Sequence, residues 1–203
     1  MRDTAHSKPT TRPRWRRIAK RTGISALVAV LALGAYLGSL QLTGNIHTVQ
    51  AGEVYRSAQL DSSQFSRVIR TDGIKSILNL RGPHPQSGWY ETEVAVAGRL
   101  DVAHYDYGIS AERPVTPEQI ADLLKILRTA PKPILVHCQG GADRSGLVSA
   151  LYELVIEGVS PAQAAAQLSL RYGHFPYLGS KTNAMDHTFW DYVDQHQTVG
   201  VVR

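Results

Sequence analysis

The longest uniform pattern in the chain is an apolar run near its start. Residues 23–42, GISALVAVLALGAYLGSLQL, carry no charge, and none occurs between Arg21 and Glu53. At 1.5 Å per residue, a twenty-residue helix spans about 30 Å, the thickness of a bilayer's hydrocarbon core. A buried core helix rarely stays apolar on all faces for this length. A cleaved signal peptide would have a shorter run and a defined cleavage site, whereas only small residues near Gly34 and Gly38 are found here. The run is read as a transmembrane signal anchor over 23–42.

Beyond residue 45 the period changes from element to element. TGNIHTVQAGE reads as a linker or irregular segment, and Val54-Tyr55-Arg56 as a short strand. Asp61 to Arg70 has helical character and is closed by Asp72-Gly73, a turn signal. Ile74 to Leu80, bounded by Gly73 and Gly82-Pro83, predicts a strand. A helix is expected over 88–98 and a strand over Val102-Ala103-His104-Tyr105. Thr116-Pro117-Glu118-Gln119 opens a helix, with Thr116 as cap, Pro117 first and Gln119 completing the box. Ile120, Leu123, Leu124 and Leu127 then share one helical face. Pro133 to His137 reads as an apolar strand and Ser145 to Glu157 as a helix ended by Gly158. Ser160-Pro161-Ala162-Gln163 opens another helix, and 181–196 forms the last. Strands alternating with helices predict an α/β domain with a central, mainly parallel sheet.

Composition sharpens this picture. Of 203 residues, 43% are hydrophobic and 19% charged, which excludes a wholly disordered chain. The single cysteine excludes an internal disulfide and any multi-cysteine metal site. The net charge of +5 is unevenly distributed. Residues 1–22 hold eight Lys/Arg against Asp3, giving +7, whereas residues 23–203 hold 14 bases and 16 acids, giving −2. A nucleic-acid surface therefore has no support in the globular part. The basic tail, 1–22, is expected to stay in the cytoplasm, placing residues 45–203 on the outer, periplasmic or extracytoplasmic, side of the membrane.

The stretch that carries chemistry is His137-Cys138-Gln139-Gly140-Gly141-Ala142-Asp143-Arg144-Ser145-Gly146, between a strand and a helix start. Such a junction aims backbone N–H groups and the positive end of a helix dipole at one point. Two adjacent glycines let the chain turn without filling the hollow. The nest suits a phosphate-sized anion. A cysteine at its rim is expected to ionise readily under the same dipoles and nearby Arg144. Arg144 can make a two-pronged contact with the anion. Ser145 can donate its hydroxyl to the sulfur.

His-Cys, five residues, Arg, then Ser resembles the signature of the protein tyrosine phosphatase superfamily. With VYRSAQL (54–60), SILNLRG (76–82) and 142–152, the resemblance covers roughly residues 54–195 and looks like a bacterial, dual-specificity-like branch. It implies a three-layer cysteine-phosphatase fold over 45–203 and a two-step reaction through a cysteinyl phosphate, with no metal or other cofactor. Carried over by residue, Cys138 is the nucleophile and Arg144 binds phosphoryl oxygens. The N–H groups of Gln139, Gly140, Gly141, Ala142, Asp143 and Arg144 form the cradle. The general acid is expected about thirty residues before the cysteine; Asp106 fits, with Asp101 and Glu112 as rivals. Arg81 matches a family arginine that ends a core strand and is expected to make a structural salt bridge. Trp89, Tyr90, Glu91 and Glu93 either border the mouth or pack a helix. His137 organises the loop. Asp143 resembles the Asp-Arg pair of phosphoinositide-directed members, but the neutral Gln139, Gly140 and Ala142 depart from their basic loops. The expected substrate is a phosphorylated protein or a small phosphate ester. A phosphoinositide phosphatase, a rhodanese-type sulfurtransferase and a non-catalytic phosphate-binding module are the alternatives.

Overall fold

Four parallel strands and one antiparallel edge strand form the sheet, in the order β1-β2-β5-β3-β4. The computed structural model describes residues 14–200. The strands are β1 (His47–Gln50), β2 (Val54–Ser57), β3 (Ser76–Asn79), β4 (Ala103–Asp106) and β5 (Ile134–His137). The helices are α1 (Arg14–Leu42), α2 (Ser62–Thr71), α3 (Gly88–Arg99), α4 (Pro117–Thr129), α5 (Asp143–Val155), α6 (Pro161–Ala164) and α7 (Asn183–Gly200). The chain divides into two compact units, Met1–Ser39 and Leu40–Arg203. Helix α1 runs from the first unit into the second; residues 21–36 are exposed, and Arg21–Leu42 is long and apolar enough to cross a membrane.

The second unit has helices on both faces of the sheet. Period-two alternation along the strands sends neighbouring side chains to opposite faces. Ile77 and Leu135 join Phe65, Val68, Ile69 and Val96, which belong to α2 and α3. Leu78, Ile134 and Val136 join Leu123, Leu127, Leu147, Leu151 and Phe189, which belong to α4, α5 and α7. The α4 start has the expected capping box, with the Thr116 side chain accepting from the Gln119 N–H and the Gln119 side chain returning to the Thr116 N–H. The same device opens α2 at Asp61.

Two expectations are corrected. The supposed linker contains β1, whose Thr48 and Val49 favour extended backbone and which pairs antiparallel with β2. The helix opened at Ser160 lasts one turn and tightens to a 3₁₀ turn over Ala165–Gln167. There Gln167 turns both its main-chain and side-chain carbonyls towards buried Arg56.

Candidate active site

The parallel strands β2, β5, β3 and β4 all finish at one edge of the sheet, with Ser57, His137, Asn79 and Asp106 near the rim. Residues 138–142 cross from β5 to the first turn of α5 at that edge. Cys138 lies buried at the base of the loop rather than at its rim, with Sγ 3.5 Å from Ser145 Oγ. The turn depends on Gly141, whose φ is +69°. A Cβ there would stand 2.5 Å from the Ala58 nitrogen and 2.7 Å from the Ser57 carbonyl carbon.

The loop's carbonyls are tied back from outside. Gly140 O accepts from Asn45 Nδ2 at 2.9 Å and from Gln41 Nε2 at 3.3 Å. Gly141 O and Ala142 O accept from Arg56 Nη2 at 2.9 and 3.0 Å. A trans peptide points its N–H opposite to its C=O. Anchoring these three carbonyls outward therefore turns the N–H groups of residues 141–143 towards the hollow. Arg56 itself is buried within β2, its guanidinium 4.1 Å from the Tyr172 ring centroid, with Nη1 on Gln167 O (2.8 Å) and Oε1 (2.7 Å). Burial pulls its pKa down to about 10, so it stays charged at neutral pH.

A second buried charge lies on the α3 side. Glu93 Oε1 accepts from His137 Nε2 and His104 Nε2, both at 2.8 Å, and Oε2 accepts from Gln59 Nε2 at 2.8 Å. Burial alone would raise its pKa, but these bonds hold it down at about 2. An ionised carboxylate only accepts, so the network assigns a proton to Nε2 of each imidazole. His137 and Phe65 make a T-shaped contact at 5.8 Å between ring centroids, which fixes the residue before Cys138.

The other expected residues divide. Arg144 Nη1 donates to Leu80 O (3.2 Å) and Ile109 O (3.4 Å), while its buried Nε has no partner among the described residues. Asp106 sits at the end of β4, and both its oxygens are engaged, one by Asn79 Nδ2 at 2.8 Å and the other by Tyr90 Oη at 2.5 Å. That bond pushes the Tyr90 phenol up to about 12. Glu112 lies three residues beyond Ile109, its side chain 61% exposed and 3.7 Å from Lys181 Nζ. Asp101 precedes β4 and so stands at the opposite edge of the sheet, away from Cys138. Arg81 makes no salt bridge among the described residues; its guanidinium covers the Trp89 ring at 3.6 Å, and Nη1 donates to Gln59 Oε1 at 3.1 Å. Burial and the neighbouring Arg144 lower its pKa. Among the described residues, no group of three or more His, Cys, Asp or Glu is arranged to hold a metal ion.

Three contributors escaped the sequence reading: Arg56, Asn45 and His174. His174 is buried, with Nδ1 2.7 Å from Asp143 Oδ1 and Nε2 2.8 Å from Asp186 Oδ2. Burial would lower its pKa, but the two carboxylates raise it. A lone arginine inside an apolar strand was the available signal for Arg56. A histidine and a carboxylate far apart in sequence give none.

The chain matches, over residues 20–186, the family described as DSP-PTPase phosphatase fused to NAD+ kinase. No curated protein matches it. Among solved structures it is similar to Pseudomonas aeruginosa TpbA, with 20% identity and a TM-score of 0.59 over 72% of this chain and 84% of that one. The same protein has also been solved as a variant in complex with phosphotyrosine. The catalytic core of the PP-IP phosphatase Siw14 from Saccharomyces cerevisiae is 21% identical, with a TM-score of 0.55 over 75% of this chain and 93% of its own. PTPMT1 is 13% identical, with a TM-score of 0.53 over 75% and 99%. At these identities the likeness is one of fold.

Proposed function

The chain belongs to the DSP-PTPase phosphatase family of phosphoric monoester hydrolases, and from that premise we propose that Cys138 and Arg144 hydrolyse a phosphotyrosyl or related protein phosphoester. What carries the reading is the set of carbonyls at 140–142 drawn away from the hollow above Cys138. The N–H groups of residues 141–143 donate to the non-bridging oxygens as the Cys138 thiolate attacks phosphorus. Arg144 Nε and the remaining guanidinium N–H groups hold two of those oxygens. The leaving oxygen takes a proton as its bond to phosphorus breaks, giving a cysteinyl phosphate and the free alcohol. Water then attacks phosphorus and the same acid takes back a proton. The Ser145 hydroxyl donates to sulfur as the S–P bond breaks, and phosphate leaves. The neutral Gln139, Gly140 and Ala142 suit a singly phosphorylated substrate better than a highly charged inositol head group.

The proton source is assigned to Glu112 rather than to the expected Asp106. Asp106 already accepts on both oxygens, whereas Glu112 is exposed, faces only Lys181 at 3.7 Å among the ion pairs of the described residues, and lies on a loop that touches Arg144 through Ile109. One substitution panel tests the whole reading. Cys138→Ser should abolish turnover with the fold intact, because a hydroxyl stays protonated where a thiol ionises. Glu112→Gln should slow a phosphotyrosyl peptide ~10²–10⁴-fold and p-nitrophenyl phosphate much less, because nitrophenolate leaves without a proton. Normal turnover by Cys138→Ser overturns the mechanism. A leaving-group-dependent loss at Asp106→Asn instead returns the acid role to Asp106.

We also propose that residues 23–42 anchor the enzyme and that residues 45–203 face the outer side. The +7 tail supports this, since clustered Lys/Arg resist translocation. A reporter fused after Arg203 should be active only outside the cytoplasm; cytoplasmic activity reverses the orientation.

A further inference from the structure

We propose that the segment following Tyr172, residues 173–182, docks on the lipid bilayer surface, so that the mouth above Cys138 opens at the membrane interface. The proposal rests on the reading of residues 23–42 as a membrane anchor.

Contacts at both ends tie the segment to the loop and its surroundings. At one end, Asn45 Nδ2 donates both to Tyr172 O, at 2.8 Å, and to Gly140 O, at 2.9 Å. His174 then holds Asp143, the first residue of α5. At the other end Lys181 stands 3.7 Å from Glu112. Between these fixed points the chain presents its apolar side chains to solvent: Phe175 is 39% exposed, Tyr177 66% and Leu178 95%. Exposing such a run on a loop tip to water is unfavourable, and burying it at a bilayer interface, where Phe, Tyr and Leu sit at the boundary of head groups and acyl chains, lowers the free energy. Lys181 adds attraction to anionic head groups.

What selects a bilayer over a protein partner is where the apolar run ends. Leu40, Gln41 and Leu42 belong to the same compact unit as the phosphate loop. Gln41 Nε2 reaches Gly140 O at 3.3 Å, and Leu42, the last residue of the candidate span, is 84% exposed beside it in sequence. The chain thus leaves the apolar stretch within one hydrogen bond of the cradle. Asn45, four residues on, fixes both the cradle and the start of the exposed segment. A bilayer entered at Leu42 is thus tied, three residues on through Asn45, to Tyr172, where the exposed segment begins, a link that a soluble partner lacks.

The test uses the full chain in nanodiscs of phosphatidylcholine with phosphatidylglycerol. In a Cys138→Ser background, a nitroxide is placed singly at Leu178→Cys, Lys125→Cys or Ala32→Cys. Power-saturation EPR compares collisions with oxygen, which partitions into lipid, and with a water-soluble nickel chelate. The Leu178 label should favour oxygen severalfold over the Lys125 label, and the Ala32 label should favour it most. A Leu178 label that behaves like the Lys125 label, with Ala32 immersed, overturns the docking and leaves the anchor standing. An Ala32 label accessible to nickel shows that the anchor reading failed, and the docking falls with it. A Leu178 label immobilised by phosphotyrosyl peptide in detergent, but not by lipid, overturns the proposal in favour of a peptide-binding wall.

Discussion

Two buried charges of opposite sign steady the same loop, and they do so by different means. Arg56 is held by four neutral acceptors, the carbonyls of Gly141, Ala142 and Gln167 and the Gln167 side chain. Glu93 is held by two imidazoles and an amide. Arg56 acts on main chain and so sets the shape of the cradle. Of the three side chains on Glu93, His137 is the one that adjoins the loop, and through it Glu93 sets the position of the residue before Cys138. A guanidinium suits the first task because its rigid fork reaches two carbonyls on one side and two oxygens on the other. A carboxylate suits the second because it can accept from two rings at once without supplying a proton.

If that division is right, the largest loss follows removal of Arg56. Arg56→Met keeps the volume but leaves buried carbonyls of residues 141, 142 and 167 without donors. Each such orphan costs about 1–3 kcal/mol, so urea unfolding should show a loss of at least roughly 3 kcal/mol. Turnover and inhibition by inorganic phosphate should fall together, since the cradle itself is lost. Arg56→Lys should rescue little, because one ammonium cannot span both sets of acceptors. Near-parental phosphate inhibition in Arg56→Met would break the comparison at its stronger limb.

Glu93→Gln should cost less and cost it differently. The carbonyls at 140–142 remain anchored, so phosphate inhibition should be nearly preserved, while kcat falls by about an order of magnitude as the His137 ring loses its fixed acceptor. The stability effect has a defined pH window. The carboxyl's pKa falls from 4.5 unfolded to about 2 folded, so its contribution is fully present above 4.5 and is lost as pH drops towards 2. That shift corresponds to ~3 kcal/mol at neutral pH. Thermal melts from pH 7 to pH 3 should show a steep acid limb in the parent and a shallower one in Glu93→Gln. Equal limbs would remove Glu93 from the account.

These buttresses also mark where sequence reading stopped. Cys138, Arg144 and Ser145 are legible as a candidate site because strand, turn and helix start are contiguous, and the chemistry of the turn constrains each position. The helix starts at Thr116 and Ser160 are legible for the same reason, since a capping box is a four-residue device. The buttresses are tertiary. Arg56 is 85 residues from Gly141, Glu93 is 44 from His137, and His174 is 31 from Asp143. Glu93 was visible only as one of four residues that either border the mouth or pack a helix, Arg56 only within the VYRSAQL stretch of the resemblance, and β1 was hidden by polar residues natural to an edge. The length of α6 was not legible because the contact just beyond it, Gln167 with Arg56 of β2, joins residues 111 apart in sequence.

His174 extends the comparison to a group that titrates, and its removal should have the smallest effect. It joins Asp143, at the start of α5, to Asp186 in α7, using both ring nitrogens. Both partners are carboxylates, which only accept when ionised, so both bonds exist only when the ring is an imidazolium. A neutral ring would turn one lone pair towards a carboxylate. The folded pKa accordingly lies above the unfolded value of 6.5, burial opposing the rise and the carboxylates outweighing it. The sign is opposite to that of Glu93. The contribution is fully present below 6.5 and is lost as pH rises through the elevated folded pKa. At pH 6, His174→Asn should cost roughly 1–2 kcal/mol, the scale of charge-assisted bonds that are partly exposed. As pH is raised past the folded pKa the difference from the parent should shrink, so the two melting curves converge on the alkaline side. The cradle carbonyls stay tied to Arg56 and Asn45, so turnover at pH 6 should change only slightly. Asp186→Asn should reproduce the convergence, since it removes one of the two acceptors that hold the proton. A parent–variant difference that stays constant from pH 6 to pH 9 would mean that His174 packs as a neutral ring, and that only the Arg56 and Glu93 buttresses support the loop through charge.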